Sequence, residues 1–215
     1  MKMNKVPNFL CYLRMAAAPV IIFLLLYKNY LQHAFPFSYL KGTSFGESLA
    51  LKLDTGNNSF ALICAGVIFV LAMLTDAIDG KIARKYNVVS DKGKQLDPIA
   101  DKILIIGSLF AFLLMGDWPN IQIMIFPFAV IVLREIIVTV LRTYCAKKGI
   151  VVAASIWGKV KTFSQSVAVI ACFIAYFCHY AFIGDFFVIA AAAYTLITLF
   201  PYLNGFIKIL RNKKA

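Results

Sequence analysis

The sequence predicts an all-α integral membrane protein with six transmembrane helices. Of its 215 residues, 61% are hydrophobic and only 15% are charged, and the mean hydropathy is +0.81. Soluble domains carry about 25% charged residues. A helix that crosses roughly 30 Å of hydrocarbon needs about 20 largely apolar residues. Apolar runs recur along the chain near 7–27, 59–75, 103–116, 121–141, 163–183 and 186–210.

The chain is predicted to form one membrane domain over residues 1–215, because it has no low-complexity tail and no convincing internal repeat. Its first apolar run resembles a signal peptide in having lysines before it. That run is long, contains Arg14 and Pro19, and lacks an obvious small-residue cleavage site, so it is predicted to be a retained helix. The only long outer loop is expected at about 31–58.

The positions of the cations predict the orientation in the cell membrane. Lys and Arg near helix ends stay on the cytoplasmic side. They are concentrated before the first helix, in the 81–102 and 142–161 connections and in the tail, and are scarce in 116–120 and 178–185. Both termini and the 81–102 connection are therefore predicted to be cytoplasmic. The net charge of +12 is explained by this bias and by attraction to anionic lipid, without nucleic acid as a partner.

Half of the ten acidic residues fall within one stretch, DAIDGKIARKYNVVSDKGKQLDPIADK. Asp76 and Asp79 are three apart, and Asp97 and Asp101 are four apart, so each pair shares one face of a helix. Two helices joined by a short turn run antiparallel and can bring these faces together. Four carboxylates in a poorly hydrated place need neutralisation. Because all-oxygen ligands suit Mg²⁺ or Mn²⁺, the stretch predicts a site for hard divalent cations.

The residues beside these carboxylates suggest a diphosphate ligand. The second helix is predicted to extend to Arg84 or Lys85 and to be followed by a turn over 86–92, in which Asp91 is a turn or helix-start residue. Gly80 then lies inside a helix, at a cost of about 1 kcal/mol relative to alanine, which is understandable if a ligand or helix approaches closely. Ala83 leaves the same face open, and Arg84 offers bidentate phosphate binding. The alternative is a set of ordinary solvated ion pairs.

This stretch resembles the signature of the CDP-alcohol phosphotransferases, Asp-x-x-Asp-Gly-x-x-Ala-Arg, eight residues, then Gly-x-x-x-Asp-x-x-x-Asp. All intervals match, and the matching residues are Asp76, Asp79, Gly80, Ala83, Arg84, Gly93, Asp97 and Asp101. The start VPNFLCYLRMAAAPV is similar to the opening Pro-Asn-x-x-Thr-x-x-Arg of the phosphatidylglycerophosphate synthase branch, with Cys11 in place of threonine. The segments REIIVTVLR and GKVKT resemble the same branch.

The resemblance implies the CDP-alcohol phosphotransferase fold, usually a homodimer, with a cavity open to the cytoplasm. It also implies transfer of the phosphatidyl group from CDP-diacylglycerol to sn-glycerol 3-phosphate, giving phosphatidylglycerophosphate and CMP, with two divalent cations, Mg²⁺ or Mn²⁺. The implied metal ligands are Asp76, Asp79, Asp97 and Asp101, and Asp101 is also the implied catalytic base. The implied contacts to the CDP-lipid are Asn8, Asp76, Gly80, Ala83 and Arg84.

A phosphate-bearing acceptor needs cations that do not belong to the metal site. Arg142, Lys159 and Lys161, at the inner ends of the fourth and fifth predicted helices, are the candidates, with Arg134 as a deeper contact on the same predicted stripe as Arg142. Positive-inside bias or a structural ion pair could also explain them. Lys159 and Lys161 are two apart and do not share a face. Arg134 and Glu135 are adjacent, so each is predicted to need another partner.

Two kinds of alternative function remain open from the sequence. The signature specifies only the CDP-lipid chemistry, so the acceptor could be serine, inositol phosphate or phosphatidylglycerol. A divalent-cation transporter would also need carboxylates in a membrane bundle. It would place them near mid-bilayer in broken helices and would have no use for Gly80 and Arg84. A non-catalytic scaffold explains none of the spacing.

Overall fold

The chain folds into six α-helices over the residues that the structure describes. The structure is a computed structural model, and it describes residues 6–27, 59–85, 91–115, 118, 121–147, 156–200, 203 and 206. Within these helices, only the backbone is described at residues 6–10, 59–60, 76–85, 91–97, 146–147, 156–157 and 159. The predicted outer loop at 31–58 lies outside the described residues.

All of the regular structure in the described ranges is helical, which confirms the predicted all-α class for that part of the chain. In chain order the helices are α1 (Val6–Leu26), α2 (Ser59–Lys85), α3 (Asp91–Leu114), α4 (Ile121–Lys147), α5 (Ile156–Cys178) and α6 (Ala181–Ile197). As predicted, α2 runs on to Lys85; α3 begins at Asp91, inside the segment 86–92 that is predicted to form a turn. Pro98 lies inside α3, between Asp97 and Asp101 of the signature. Because proline has no N–H, the helix lacks one backbone hydrogen bond there.

The boundary between α5 and α6 differs from the prediction. The sequence predicts a helix over 163–183 and an outer loop that contains Asp185, but α5 ends at Cys178 and α6 begins at Ala181. Asp185 consequently lies within α6 and is buried. The break lies inside the predicted loop at 178–185, but composition alone did not show that the connection is only two residues long.

A backbone motif at His179 ends α5. His179 has a left-handed φ of 58°. The Tyr180 N–H donates to the Ala175 carbonyl at 2.9 Å, and the His179 N–H donates to the Tyr176 carbonyl at 3.4 Å. This pair of bonds is the Schellman arrangement, which normally has glycine at the left-handed position. Since no glycine marks the site, the usual sequence signal for a helix end is absent.

The helices divide into two compact units. The first contains α1, α2 and α3, and in it α1 packs against both other helices. The second contains α4, most of α5 and α6, and in it α4 packs against α6. The single domain over residues 1–215 stays a prediction.

Each helix of the first unit buries residues spaced alternately three and four apart, which we call its buried stripe. The stripes are Cys11, Arg14, Ala18, Ile21 and Leu25 on α1, Leu62, Ala65, Phe69 and Ala72 on α2, and Leu104, Ser108, Ala111 and Met115 on α3. This spacing suits helices that cross at a small angle. Helices α1 and α3 approach closely, because a Cβ added at Gly107 would lie 3.2 Å from the Cδ1 of Ile22.

The described helices indicate association with a membrane. Segments Ile121–Cys145 and Val160–Cys178 are long and apolar enough to cross a bilayer, and three shorter apolar helices cover Cys11–Leu26, Ala61–Thr75 and Ala181–Ile197. Large apolar side chains remain exposed outside the buried stripes, among them Phe126, Phe163 and Phe182. Exposed apolar surface on this scale suits lipid better than water. The number of spans and the orientation of the termini stay predictions.

Candidate active site

Asp101 carries the described part of the predicted metal and catalytic cluster. It lies on α3 three residues before Leu104, which is the first residue of the buried stripe of that helix. Its side chain is 25% exposed, while Arg14 on the buried stripe of α1 is only 1% exposed. The Arg14 Nη1 donates to the Asp101 Oδ1 at 2.5 Å. The first unit therefore presents a partly accessible carboxylate that is held from the inside by a buried guanidinium.

Four other residues of the signature continue the buried stripes in register. Positions 76, 79 and 83 follow Ala72 on α2 by steps of four, three and four, and Asp97 precedes Asp101 by four on α3. The helical backbone is described at these positions, while the side chains of Asp76, Asp79, Gly80, Ala83, Arg84 and Asp97 lie outside the described residues, as does that of Asn8. The convergence of the four aspartates stays a prediction.

The donor set of this cluster fits hard divalent cations. Carboxylate oxygens are the ligands that Mg²⁺ and Mn²⁺ prefer, and Asp101 offers its carboxylate at a partly exposed position next to the packed core. Among the side chains that the structure describes, no three His, Cys, Asp or Glu residues come together. Asp101 is the one aspartate of the signature whose side chain is among them.

A buried group of charged residues occupies the second unit. Arg134 and Glu135 on α4 are 4% and 5% exposed, and Lys161 on α5 is 7% exposed. The Lys161 Nζ donates to the Glu135 Oε1, and the Arg134 Nη1 approaches the same oxygen at 3.3 Å. The Arg134 Nη2 also donates to the Thr198 Oγ1 at 3.1 Å. The predicted additional partners of Arg134 and Glu135 are confirmed, although their long side chains also meet each other.

Uncharged polar side chains extend this group along α5 and α6. The Gln165 Nε2 donates to the Thr195 Oγ1 at 3.1 Å, and both residues are buried. The Thr198 Oγ1 donates to the Thr195 carbonyl at 2.8 Å. Two cations and one carboxylate give the buried group one net positive charge. Because a buried charge is costly unless it is paired, such a group can attract an anion.

The structure separates Arg142 from Arg134, which the sequence predicts to lie on one stripe. Arg134 is buried, whereas Arg142 is exposed. Eight residues advance a helix by about 80° beyond two full turns, so these positions do not share a face. The buried stripe of α4 instead runs through Ile131, Arg134, Val138 and Cys145. The side chain of Lys159 lies outside the described residues.

Sequence reasoning missed the contact of Arg14 with Asp101 and the bond of Gln165 to Thr195. The spacing of residues 11, 14 and 18 is a signal for Arg14, because it places the arginine among small and sulfur-containing residues of one helical face. The pairing with Asp101 has no such signal, since it joins residues 87 apart in the chain.

Comparisons with known proteins identify the family. A family model described as CDP-alcohol phosphatidyltransferase matches residues 4–199. A CDP-diacylglycerol–glycerol-3-phosphate 3-phosphatidyltransferase of Mycoplasma pneumoniae is 37% identical over 173 residues, covering 80% of this chain and 69% of the relative. A Rickettsia bellii protein of the same name is 32% identical over 206 residues, or 94% of this chain and 95% of the relative.

A Bacillus subtilis protein of that name is 39% identical over 120 residues, and the match covers 55% of this chain and 60% of the relative. The family match covers all six described helices and includes both the Asp101 and the Glu135 sites. The chain therefore belongs to the CDP-alcohol phosphatidyltransferase family.

Proposed function

We propose that this protein is a CDP-diacylglycerol-dependent phosphatidyltransferase of phospholipid biosynthesis. It transfers the phosphatidyl group from CDP-diacylglycerol to sn-glycerol 3-phosphate, giving phosphatidylglycerophosphate and CMP. The observation that carries this proposal is the buried Arg14 holding Asp101, the last residue of the complete signature, at a partly exposed edge of the first unit. The names of the Mycoplasma, Rickettsia and Bacillus relatives support the same activity.

The donor half of the site is assigned to α2 and α3. Asp76, Asp79, Asp97 and Asp101 are the residues that would hold two divalent cations, Mg²⁺ or Mn²⁺. Once bound, these cations supply positive charge that neutralises the transferred phosphate and the departing CMP. The remaining contacts to the CDP-lipid are assigned to Asn8, Gly80, Ala83 and Arg84. In this arrangement Arg84 binds the diphosphate, and the two small residues leave room for the nucleotide.

Asp101 acts as the general base in this proposal. A hydroxyl of the acceptor attacks the phosphorus that bears the diacylglycerol group, and a new P–O bond forms. The bond from that phosphorus to the bridging oxygen breaks, and CMP leaves with the electron pair. Asp101 accepts the proton of the attacking hydroxyl, which is useful because an alcohol at neutral pH is a weak nucleophile.

The acceptor phosphate is assigned to the buried charged group of the second unit. Lys161 and Arg134 both lie against Glu135, and together the three residues carry one excess positive charge. Two cations so close together repel each other, and Glu135 offsets part of that repulsion. A phosphate with its several acceptor oxygens would offset the rest. Arg142, which is exposed on another face of α4, and Lys159 stay candidates for further contacts to that phosphate.

The proposed setting is the cell membrane, with six spans, both termini in the cytoplasm and an active site that faces the cytoplasm. The positive-inside distribution of Lys and Arg and the exposed apolar surface of the described helices support this setting. The protein is proposed to work as a homodimer in the bilayer.

The cation-transporter alternative receives less support from the described helices. The signature occupies the end of α2 and the start of α3, and both helices continue through their aspartates without a break. A transporter would place such residues in interrupted helices near mid-bilayer. An acceptor other than glycerol 3-phosphate remains the closer alternative, and serine would not need the cations around Glu135.

The test is transfer of label into lipid by the purified protein in CDP-diacylglycerol liposomes with Mg²⁺. Labelled glycerol 3-phosphate, serine and inositol phosphate are supplied separately, and Asp101→Asn is the matched control. We expect label to enter lipid from glycerol 3-phosphate and CMP to appear in equal amount. Label entering from serine or inositol phosphate alone would overturn the acceptor. Cation uptake without any transfer would favour a transporter.

A further inference from the structure

We propose that Arg14 is the positioning residue of the catalytic carboxylate. It fixes one oxygen of Asp101 so that the other keeps a constant orientation toward the acceptor hydroxyl. This inference rests on the proposed function, because it concerns how the assigned base is held. It gives a task to a residue that the reaction itself does not require.

The location of Arg14 is hard to explain without a partner in the site. It lies on the buried stripe of α1 between Cys11 and Ala18 and is 1% exposed. A guanidinium in an apolar core costs several kcal/mol unless it is paired and hydrogen-bonded. The Arg14 Nη1 donates to the Asp101 Oδ1, and because both groups are charged this is a charge-assisted bond.

The exposure of the two partners is unequal in a way that suits positioning. Arg14 is sealed inside the unit, whereas the Asp101 side chain is 25% exposed and accessible to a ligand. The last torsion of an aspartate is broad and roughly two-fold, so an unheld carboxylate rotates. A bond from a buried guanidinium to Oδ1 limits that rotation and thereby fixes the direction of Oδ2. Positioning of this kind reduces the fraction of encounters with a misdirected base.

The contact between α1 and α3 does not depend on this ion pair alone. Ile22 packs against Gly107 two turns beyond Arg14, where a Cβ on the glycine would lie 3.2 Å from the Cδ1 of Ile22. Ala18, Ile21 and Leu104 are also completely buried along the two helices. Apolar packing therefore holds the helices together, and the ion pair is available for another task.

The experiment compares Arg14→Met, Arg14→Lys and the packing control Ile22→Ala in the full-length protein. Turnover and KM for both substrates are measured, together with Mn²⁺ binding by electron paramagnetic resonance and thermal stability in detergent. We expect Arg14→Met to lower kcat about 100-fold, with each KM and the Mn²⁺ affinity changed by less than about threefold, and Arg14→Lys to recover about tenfold of the loss. Ile22→Ala is expected to lower stability while leaving kcat within about twofold.

A double variant separates positioning from a merely structural role. In the Asp101→Asn background, Arg14→Met is expected to lower the residual kcat by less than about threefold, because the group that it positions has been removed. An additional 100-fold loss in that background would overturn the inference, and so would loss of Mn²⁺ binding in Arg14→Met. Should Arg14→Met fail to fold, Arg14→Lys decides alone, since a kcat equal to the unmodified protein would overturn the inference.

The activity of the unmodified protein distinguishes failure of the proposed function from failure of the role of Arg14. No transfer by the unmodified protein with any acceptor would overturn the proposed function and this inference with it. Transfer by the unmodified protein together with an unchanged kcat in Arg14→Met would overturn only the role of Arg14.

Discussion

The two units of this protein each pair charged side chains within otherwise apolar helix packing, and a different sign of charge is central in each. In the first unit one buried arginine, Arg14, holds Asp101, which belongs to a signature of four aspartates on α2 and α3. In the second unit one buried carboxylate, Glu135, holds the two cations Arg134 and Lys161. In each of these groups of contacts a buried residue of one charge, Arg14 or Glu135, is paired with one or two residues of the opposite charge.

The comparison indicates that the same rule on buried charges applies to both units. A buried group of one sign is stable only if a counter-charge offsets most of it. In the proposed function, the four aspartates of the signature would bind cations, and Arg134 and Lys161 would bind a phosphate. Arg14 and Glu135 would then keep each proposed site assembled before its ligand arrives, although neither belongs to the assigned ligand set.

The largest expected effect concerns the carboxylate of the first unit. Asp101→Asn keeps the shape of the side chain but cannot accept the proton, so we expect kcat to fall about 1,000-fold while Mn²⁺ still binds measurably. Turnover assays and Mn²⁺ titration in detergent measure the two quantities. Asn cannot ligate a cation as a carboxylate does, so equal losses of metal binding and activity would make Asp101 a ligand and not a base.

The next effect tests whether Glu135 stabilises the second unit. Glu135→Gln leaves Arg134 and Lys161 buried without their carboxylate, which is expected to cost about 3 kcal/mol of unfolding free energy. Unfolding in mixed detergent micelles measures the loss, and Thr143→Val, an exposed position on the same helix, is the control. Inorganic phosphate is expected to restore more stability to Glu135→Gln than to the unmodified protein. Equal stabilisation of both would contradict an anion site there.

A smaller effect tests the cations of the same group. Lys161→Met removes one of the two buried positive charges, so we expect KM for glycerol 3-phosphate to rise about 30-fold with KM for CDP-diacylglycerol nearly unchanged. Ser164→Ala is the control, because the Ser164 hydroxyl donates only within its own helix, to the Lys161 carbonyl at 2.8 Å. A rise in both KM values would contradict the assignment of the two substrates to different units.

The smallest expected effect concerns His179, which belongs to neither group of charged residues. His179 adopts a φ of 58°, a conformation that costs residues with a Cβ roughly 1 kcal/mol. His179→Gly is therefore expected to stabilise the protein by about 1 kcal/mol with no change in kcat. His179→Ala loses the imidazole but keeps the Cβ, so it is expected to give no such gain. Thermal unfolding in detergent compares the two, and equal stability would argue against a conformational cost.

The helices were predictable wherever their ends carry a chemical signal, and not elsewhere. The extension of α2 to Lys85 follows from the spacing of the residues there, and Asp91, which could have been a turn or a helix-start residue, begins α3. The break at His179 lies inside the predicted loop at 178–185, but its exact position was not predicted, because a histidine takes the place of the usual glycine. Composition can therefore place a helix end within several residues, while the residue that ends the helix depends on a backbone conformation that the sequence does not signal.

The sequence by itself determined the all-α class, the membrane character and the CDP-lipid chemistry. These follow from composition and from the spacing of residues close together in the chain. Only the tertiary structure decided which charges are buried together. Arg14 and Asp101 are 87 residues apart, and Glu135 and Lys161 are 26 apart. Their pairing depends on which stripe of one helix faces which stripe of another, and that choice comes from the packing of apolar side chains along the whole length of the helices.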